Sequence, residues 1–224
     1  MSVITISREL GSQGRQIAEN TAQALGYHFM NKHAIGEVLE EYGLVEFREE
    51  YEIAPSFWDI FDAHRMERRS EMVSMLNKVI LALAQHGNIV ILGRCGFAVL
   101  RDFADVLNVR IQAPPEQRVA FIKADENIIN VEQAQIFIKE NDQNRTAFIE
   151  SFYGVKWDQA SAFDLVFDTG KISPELVTNF LIASVRNMER KRESGDRVVA
   201  NIPVDPVLYS SICKALNCNA SHEK

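Results

Sequence analysis

The sequence contains little that would suit secretion, a membrane or a polynucleotide partner. Its 224 residues include three cysteines, Cys95, Cys213 and Cys218, an odd number without paired metal-ligand spacing, which favours a reducing cytoplasm over a disulfide framework. No run approaches the roughly 18 consecutive apolar residues of a membrane span, and residues 1–6 do not resemble a secretory signal. The net charge is −7, whereas proteins that follow a nucleic-acid backbone usually carry a basic excess. We therefore expect a cytoplasmic protein whose partners include neither membrane nor nucleic acid.

Strand and helix patterns alternate along the chain. Short β-branched or apolar runs predict strands at Val3–Ser7, Tyr27–Met30, Ile89–Leu92, Val106–Gln112 and Leu165–Phe167. Between them, apolar residues at helical spacing predict amphipathic helices, several of which end at a glycine. Strands that are separated by helices of this length form βαβ units. The sequence therefore predicts an α/β fold with a central parallel sheet flanked by helices.

A glycine-rich turn follows the first predicted strand and leads directly into a helix. It contains Gly11, Ser12, Gln13, Gly14, Arg15 and Gln16. Backbone N–H groups at a helix N-terminus, together with the helix dipole, favour a bound anion. The turn departs from the pattern G-x-x-x-x-G-K-[ST], since Glu9 replaces the first glycine, Arg15 the lysine and Gln16 the magnesium-binding hydroxyl. From the motif alone, a phosphate-binding loop and a plain glycine-containing turn both remain open.

The run from Ile4 to Arg15, followed by Ala24-Leu25-Gly26-Tyr27, resembles the opening of the cytidylate kinase-like family. These proteins are relatives of the nucleoside monophosphate kinases and carry an arginine in the phosphate-binding P-loop. The resemblance covers roughly residues 1–190. It implies a P-loop kinase fold, ATP and Mg²⁺ as cofactors, and nucleotides as substrates.

The resemblance also implies how the chain is divided. A small helical acceptor-binding segment is expected at about 32–86 and a lid at about 118–157. Residues 191–224 change in character and are predicted to be an appendage to the kinase-like domain. An oligomer is compatible with the sequence.

Two further sites follow from the residues and from the resemblance. Gly93 and Arg94 come just after a buried strand, where open α/β sheets bind ligands; the matching Gly-Arg of the family helps to hold the acceptor monophosphate, and a solvated loop arginine is the alternative. The family usually continues with an aspartate, where this chain has Cys95.

Asp142 and Arg145 share one helical face. The resemblance implies that Arg145 meets the migrating phosphoryl group and that Asp142 orients it, with an intrahelical ion pair as the alternative.

Other residues are weaker candidates. Arg118 is a possible lid-side cation or a surface arginine, and Arg65 and Arg69 have the helical spacing to reach a phosphate or to form a solvated face. Three aromatic residues are predicted to be core residues of the acceptor-side segment: Phe57, Trp58 and Phe61. Neither the cysteines nor the histidines have metal-ligand spacing, so no metal site of side chains is assigned. Without the P-loop hydroxyl, Ser12 or waters would have to bind the magnesium ion.

The leading hypothesis is transfer of the ATP γ-phosphoryl group to a nucleoside monophosphate, with CMP or dCMP as the first candidates. The residues assigned to it are, for catalysis, Arg15, Arg145 and Asp142; for the donor phosphates, Gly11 to Gln16; and for the acceptor, Gly93 and Arg94. A nucleotide-binding regulatory module with weak catalysis is an alternative, supported by Glu9, Gln16 and Cys95. A kinase that acts on a small molecule other than a nucleotide is a third, because fold does not fix substrate.

Overall fold

The computed structural model describes residues 1–43, 63–126, 130–191, 193 and 195–216, with the backbone alone at 63–69 and 191. The predicted core aromatics Phe57, Trp58 and Phe61 lie outside the described residues. The side chains of Arg65 and Arg69 lie outside them too.

Five parallel strands form one sheet. They are β1 Val3–Arg8, β2 His28–Met30, β3 Ile89–Leu92, β4 Val106–Gln112 and β5 Leu165–Asp168. Their order is β2-β3-β1-β4-β5, and each neighbouring pair is parallel. All four residues of β3 are buried, as expected of a continuous apolar strand that is covered on both faces. The predicted fold class, an α/β fold with a central parallel sheet, is confirmed.

Helices connect and cover the strands. Those described are α1 Gly14–Leu25, α2 Lys32–Glu41, α3 Ala63–His86, α4 Gly96–Val99, α5 Pro115–Asp125, α6 Val131–Tyr153, α7 Pro174–Lys191 and α8 Pro206–Ala215. Local sequence sets several helix ends: the Asn31 and Asp205 side chains accept N–H groups in the first turns of α2 and α8, and Gly26 ends α1 with a φ of 67°. In the described part of the chain, no helix has the length and apolarity to cross a membrane.

The pleat of β1 sends alternate side chains into two helical layers. Ile4 and Ile6 pack in a cluster with residues of α1 and α7, among them Ile17 and Leu181. Val3 packs on the opposite face, in a cluster with residues of α2, α3 and α8. Helices therefore cover both faces of the sheet, and the carboxyl ends of the strands remain as the place for a ligand.

Residues after α7 belong to the second of these layers. Val199 and Ile212 are fully buried, and Leu208 is almost so, all within the cluster formed by α2 and α3. The Val199 N–H also donates to Asp105 Oδ1 at 3.0 Å. The boundary at residue 190 stays a prediction, but part of the predicted appendage packs in the core.

The carboxyl ends of the strands meet at one edge of the sheet. Arg8 pairs in register with Ile111, at the end of β4, and the Gly93 N–H donates to Ile6 O at 2.9 Å. The turns that follow β1 and β3 therefore emerge side by side. The strand order reverses at β1, and this is the position at which open α/β sheets bind ligands.

Candidate active site

The glycine loop, residues 9–13, turns sharply between β1 and α1. Gly11 and Gln13 have φ values of 82° and 60°, and a Cβ at Gly11 would lie 2.7 Å from the carbonyl oxygen of Arg118. Gly11 therefore allows a close approach of two backbones. Among the described residues, no side chain caps the N-terminus of α1, whose first N–H groups have no partner within the helix. An uncapped helix N-terminus of this kind favours an anion.

Glu9 fastens the glycine loop to β4 and α5. Its Oε1 accepts from Arg110 Nη2 at 3.2 Å, and its Oε2 lies 3.4 Å from Arg118 Nη1 and accepts the Ala113 N–H at 3.3 Å. The Glu9 carbonyl also accepts from Ser12 Oγ at 2.8 Å. The two arginine side chains are only 6% and 10% exposed, so the carboxylate offsets the cost of burying their charges. The residue in place of the first P-loop glycine thus anchors the loop.

Asp142 joins α6, which lies within the predicted lid and is named the lid helix after that prediction, to the glycine loop. Its Oδ1 accepts the Leu10 N–H at 3.1 Å and lies 3.2 Å from Arg145 Nη1, while its Oδ2 pairs with Arg118 Nη2. Arg145 Nη1 also donates to Arg8 O at 2.7 Å. Burial lowers the pKa of Arg145, and the Asp142 carboxylate opposes that shift. The Asp142–Arg145 pair therefore connects the lid helix to the end of β1, in addition to linking two residues of one helix.

A cavity of about 180 Å³ lies between the ends of β1 and β3 and the lid helix. Four cationic side chains line it: Arg8, Lys32, Arg94 and Arg145. Its apolar wall contains Met72, Leu76, Cys95, Phe97, Phe148 and Ile149. No aspartate or glutamate is found among the described residues of the lining. Positive charge gathered within low-dielectric walls attracts anions, so this cavity is suited to a phosphate group.

The turn after β3 shapes one side of the cavity. Gly93, Arg94 and Cys95 have φ values of 76°, 55° and 58°, a run that is uncommon for residues other than glycine and that is frequent at ligand sites. A Cβ at Gly93 would overlap with Arg8 Nη1, so glycine leaves room for that guanidinium. Burial raises the pKa of the Cys95 thiol to about 12. Cys95 is therefore an uncharged part of the wall at neutral pH.

Arg8 is a site residue that the sequence motif did not identify. It is the last residue of β1, and the P-loop pattern was applied from Glu9 onward, although the end of a parallel strand is itself a signal for a ligand-binding position. Burial, together with the positive charges of Arg145 and Arg94, lowers the pKa of Arg8 to about 9. The cavity thus holds a cation that a bound anion would stabilise.

Anion binding is expected to weaken at high pH because of Arg8. The anion prefers the protonated guanidinium. The contribution of Arg8 to anion affinity is therefore fully present well below pH 9 and is lost as the pH rises through the lowered pKa of about 9. Sulfate keeps a constant charge over this range, and we expect its affinity to fall roughly tenfold from pH 8 to pH 10. Calorimetric titration of the wild type and of Arg8→Gln checks this. Affinity that is flat in the wild type, or that falls equally in both proteins, contradicts it.

Arg15 and Gln16 lie outside the cavity. Arg15 Nε is 2.8 Å from Glu19 Oε1 along the surface of α1, and the arginine side chain is 72% exposed. Glu19 raises the pKa of Arg15, and the i,i+4 spacing of the two residues is a sequence signal for this pair. Exposed pairs contribute little to stability, so Arg15 can leave Glu19 at small cost. The assignment of Arg15 and Gln16 to phosphate binding stays a prediction.

Three more residues of the site were absent from the sequence-based assignment. Lys32 is the first residue of α2, and nothing in its neighbourhood distinguishes it from a surface lysine. Arg110 lies within the apolar run of β4 and is 5% exposed, and a charged residue in a buried strand is a sign of a paired charge. Trp157 is buried beside Arg110 and Arg145. Its role depends on contacts between distant parts of the chain, which no local pattern reveals.

Comparison with known proteins agrees with this geometry. A sequence profile of the cytidylate kinase-like family matches residues 3–171. The cytidylate kinase of Ignicoccus hospitalis is 29% identical over 79% of this chain and 95% of its own length. The cytidylate kinase of Pyrococcus abyssi is 28% identical over 84% of this chain and 96% of its own length.

A solved structure has a similar fold. An uncharacterised protein from Eubacterium ventriosum superposes with a TM-score of 0.63 at 19% sequence identity, covering 83% of this chain and 99% of that one. At this identity the likeness concerns the fold alone. The profile match spans most of the chain. It names the same family that the sequence of the glycine loop resembles. The chain therefore belongs to the cytidylate kinase-like family and is a P-loop kinase.

Proposed function

We propose that the protein transfers the γ-phosphoryl group of ATP to a nucleoside monophosphate, with CMP or dCMP as the first candidates. The observation that carries the proposal is the cavity at the ends of β1 and β3, lined by Arg8, Lys32, Arg94 and Arg145. Phosphoryl transfer depends mainly on positioning and on stabilisation of charge. A cluster of cations next to an uncapped helix N-terminus supplies both.

The donor phosphates would lie at the glycine loop. The first N–H groups of α1, which have no partner within the helix, would bind the β-phosphate there, and the helix dipole favours its negative charge. Arg15 would bridge the phosphates after its side chain leaves Glu19, an exposed partner. Asp142 holds the Leu10 N–H and two arginines in place at the same loop.

The acceptor would lie in the cavity. Arg94, on the turn after β3, would hold its phosphate, with Gly93 leaving room for Arg8 on the same side. Arg145 projects from the lid helix into the same cavity and would stabilise the charge on the migrating group. The reaction requires no general base from these residues, and closure of the lid over the cavity would keep water from competing with the acceptor.

Magnesium would enter with ATP. When bound to the β- and γ-phosphates, the ion neutralises part of their charge. The part of the chain that the structure describes holds no group of three or more His, Cys, Asp or Glu side chains suited to a metal ion. Glu9, within the glycine loop, and Asp142, which accepts the Leu10 N–H, are already paired with arginines, so we assign the ion no protein ligand.

A nucleotide-binding module with weak catalysis is the second candidate. It is favoured by two observations: Arg15 points away from the glycine loop, and the Asp142 carboxylate accepts an N–H of that loop. Such a protein would bind ATP and turn it over slowly.

The test is a panel of acceptors. Purified protein is incubated with ATP and magnesium and with each common ribo- and deoxyribonucleoside monophosphate in turn, and ADP and the diphosphate product are measured. Formation of CDP or dCDP at more than about 1 s⁻¹ is the expected result, and Arg15→Ala, run in parallel, tests the predicted bridging role.

The remaining outcomes separate the alternatives. ATP binding in the calorimeter without turnover of any acceptor supports the binding module. If no nucleotide is phosphorylated but a non-nucleotide alcohol, tested in a second panel, is phosphorylated, the small-molecule kinase is supported. Either result rejects the proposed nucleotide acceptor.

A further inference from the structure

Trp157 lies beside the end of β1 and against two arginines, of which Arg110 is buried and Arg145 is partly buried. It follows the lid helix, is 4% exposed, and donates its indole Nε1–H to Ser7 Oγ at 2.7 Å. Ser7 immediately precedes Arg8 on β1, so this hydrogen bond ties the indole ring to the strand that carries the phosphate-binding turn. A buried indole N–H usually has such a partner. The ring therefore has a fixed orientation relative to the cavity.

Two guanidinium groups contact this one ring. The Cζ of Arg110 is 4.5 Å from the ring centroid, and the Cζ of Arg145 is 5.3 Å from it. Both distances are within the range of a cation–π interaction, which is stronger when the pair is shielded from water. Arg110 is fixed independently, because its Nη1 donates to the Trp157 carbonyl and its Nη2 bonds Glu9.

Arg145 gains from this support. The two hydrogen bonds that it makes to described residues, to Arg8 O and to Asp142 Oδ1, both start from Nη1. Bonds from a single nitrogen leave a planar guanidinium able to rotate about that corner, and an aromatic face restricts the orientation of the plane. The arginine carries a long, flexible side chain, so ordering it in advance saves conformational entropy when a phosphate binds.

We infer that Trp157 is a positioning residue that holds the Arg145 guanidinium at the cavity through its ring face. The inference rests on the proposed function, in which Arg145 meets the migrating phosphoryl group. The alternative is that Trp157 only fills the apolar cluster it shares with Cys95, Phe97, Ile149, Ala162 and Phe163. The two accounts differ in what removal of the ring does to a protein that already lacks Arg145.

The experiment is a double-mutant cycle on phosphoryl transfer. We expect Trp157→Leu to lower kcat roughly tenfold, with a change in KM of less than about threefold, and Trp157→Phe, which keeps a ring face, to recover most of this loss. In the Arg145→Ala background, Trp157→Leu should have no further effect on kcat. Phe163→Leu removes an aromatic ring from the same cluster and serves as the matched control, with kcat within about twofold of wild type.

Two results would overturn the inference. One is that Trp157→Leu slows the Arg145→Ala enzyme by the same factor as the wild type. The other is that Phe163→Leu and Trp157→Leu lower kcat equally, which indicates cluster packing alone.

A binding cycle separates failure of this inference from failure of the proposed function. If the wild type transfers no phosphoryl group to any acceptor, the proposed function fails. The wild type, Trp157→Leu, Arg145→Ala and the double variant are then titrated with inorganic pyrophosphate. The positioning role is supported if Trp157→Leu lowers the pyrophosphate affinity of the wild type but has no effect on the pyrophosphate affinity of Arg145→Ala. Equal pyrophosphate affinity in the wild type and Trp157→Leu contradicts it.

Discussion

Replacement of Arg145 by alanine is expected to lower kcat about 10³-fold, with a smaller change in KM for either nucleotide. Arg145 is the cation that the lid helix brings to the cavity, where its guanidinium also bonds the carbonyl of Arg8. An arginine at the migrating phosphoryl group acts chiefly in the transition state, so its loss appears in kcat more than in binding. Steady-state kinetics with the best acceptor of the nucleotide panel measure both constants.

Two matched variants make this result interpretable. Arg145→Lys keeps the charge but loses the planar fork, and we expect it to fall between alanine and wild type. Arg186→Ala removes an exposed arginine from α7, far from the strand ends that form the cavity, and should leave kcat within about twofold. If Arg145→Ala keeps more than about a third of the wild-type kcat, the assignment of Arg145 to the transition state is wrong.

Replacement of Glu9 by alanine is expected to destabilise the protein by about 3–5 kcal/mol. Glu9 bonds both Arg110 and Arg118, and the two arginine side chains are nearly buried. Arg118 keeps Asp142 as a partner, but Arg110 then has no carboxylate among those described within ion-pair distance. Burial already lowers the pKa of Arg110, and the charge of Glu9 opposes that shift. Urea unfolding of the wild type and the variant gives the difference in free energy.

The chain offers a control for this prediction on the neighbouring helix. Glu19 also pairs with an arginine, but Arg15 and Glu19 are exposed, so Glu19→Ala should cost less than about 1 kcal/mol. Glu9→Gln keeps the shape of the side chain and can still hydrogen-bond, so its loss of stability should fall between those of Glu9→Ala and Glu19→Ala. A loss of under about 1 kcal/mol in Glu9→Ala would show that Glu9 is not the anchor of the glycine loop.

The sequence predicted the elements of the fold well because they depend on local patterns. The continuous apolar run of β3 and the amphipathic stripe of α3 are visible in single segments. The packing of α8 on α2 and α3 was not predictable, since Leu208 and Ile212 meet residues of the cluster that come more than 120 positions earlier. The proline-containing segment before α8 resembles a linker, and only tertiary contact shows that part of it is buried.

Part of the candidate site could be predicted where its residues belong to a motif of the family. Arg94, Arg145 and Asp142 were identified through the family resemblance, and the structure brings all three to one region. Arg15 illustrates the limit, because its position on α1 was predicted while the direction of its side chain depends on Glu19. Trp157 marks the same limit, since it contacts Arg110 and Ser7 only in the folded chain.

The burial of residues 199–212 also has a consequence for synthesis of the chain on the ribosome. The apolar faces of α2 and α3 are completed by Val199, Leu208 and Ile212, which are translated long after those helices. At about 5–20 residues per second, that surface stays open to water for several seconds or more after α3 has emerged. The opposite layer, built from α1 and α7, is complete earlier. The layer of α2 and α3 is therefore the last part of the core to be completed, and its apolar face is the one still open to a chaperone when α7 has been translated.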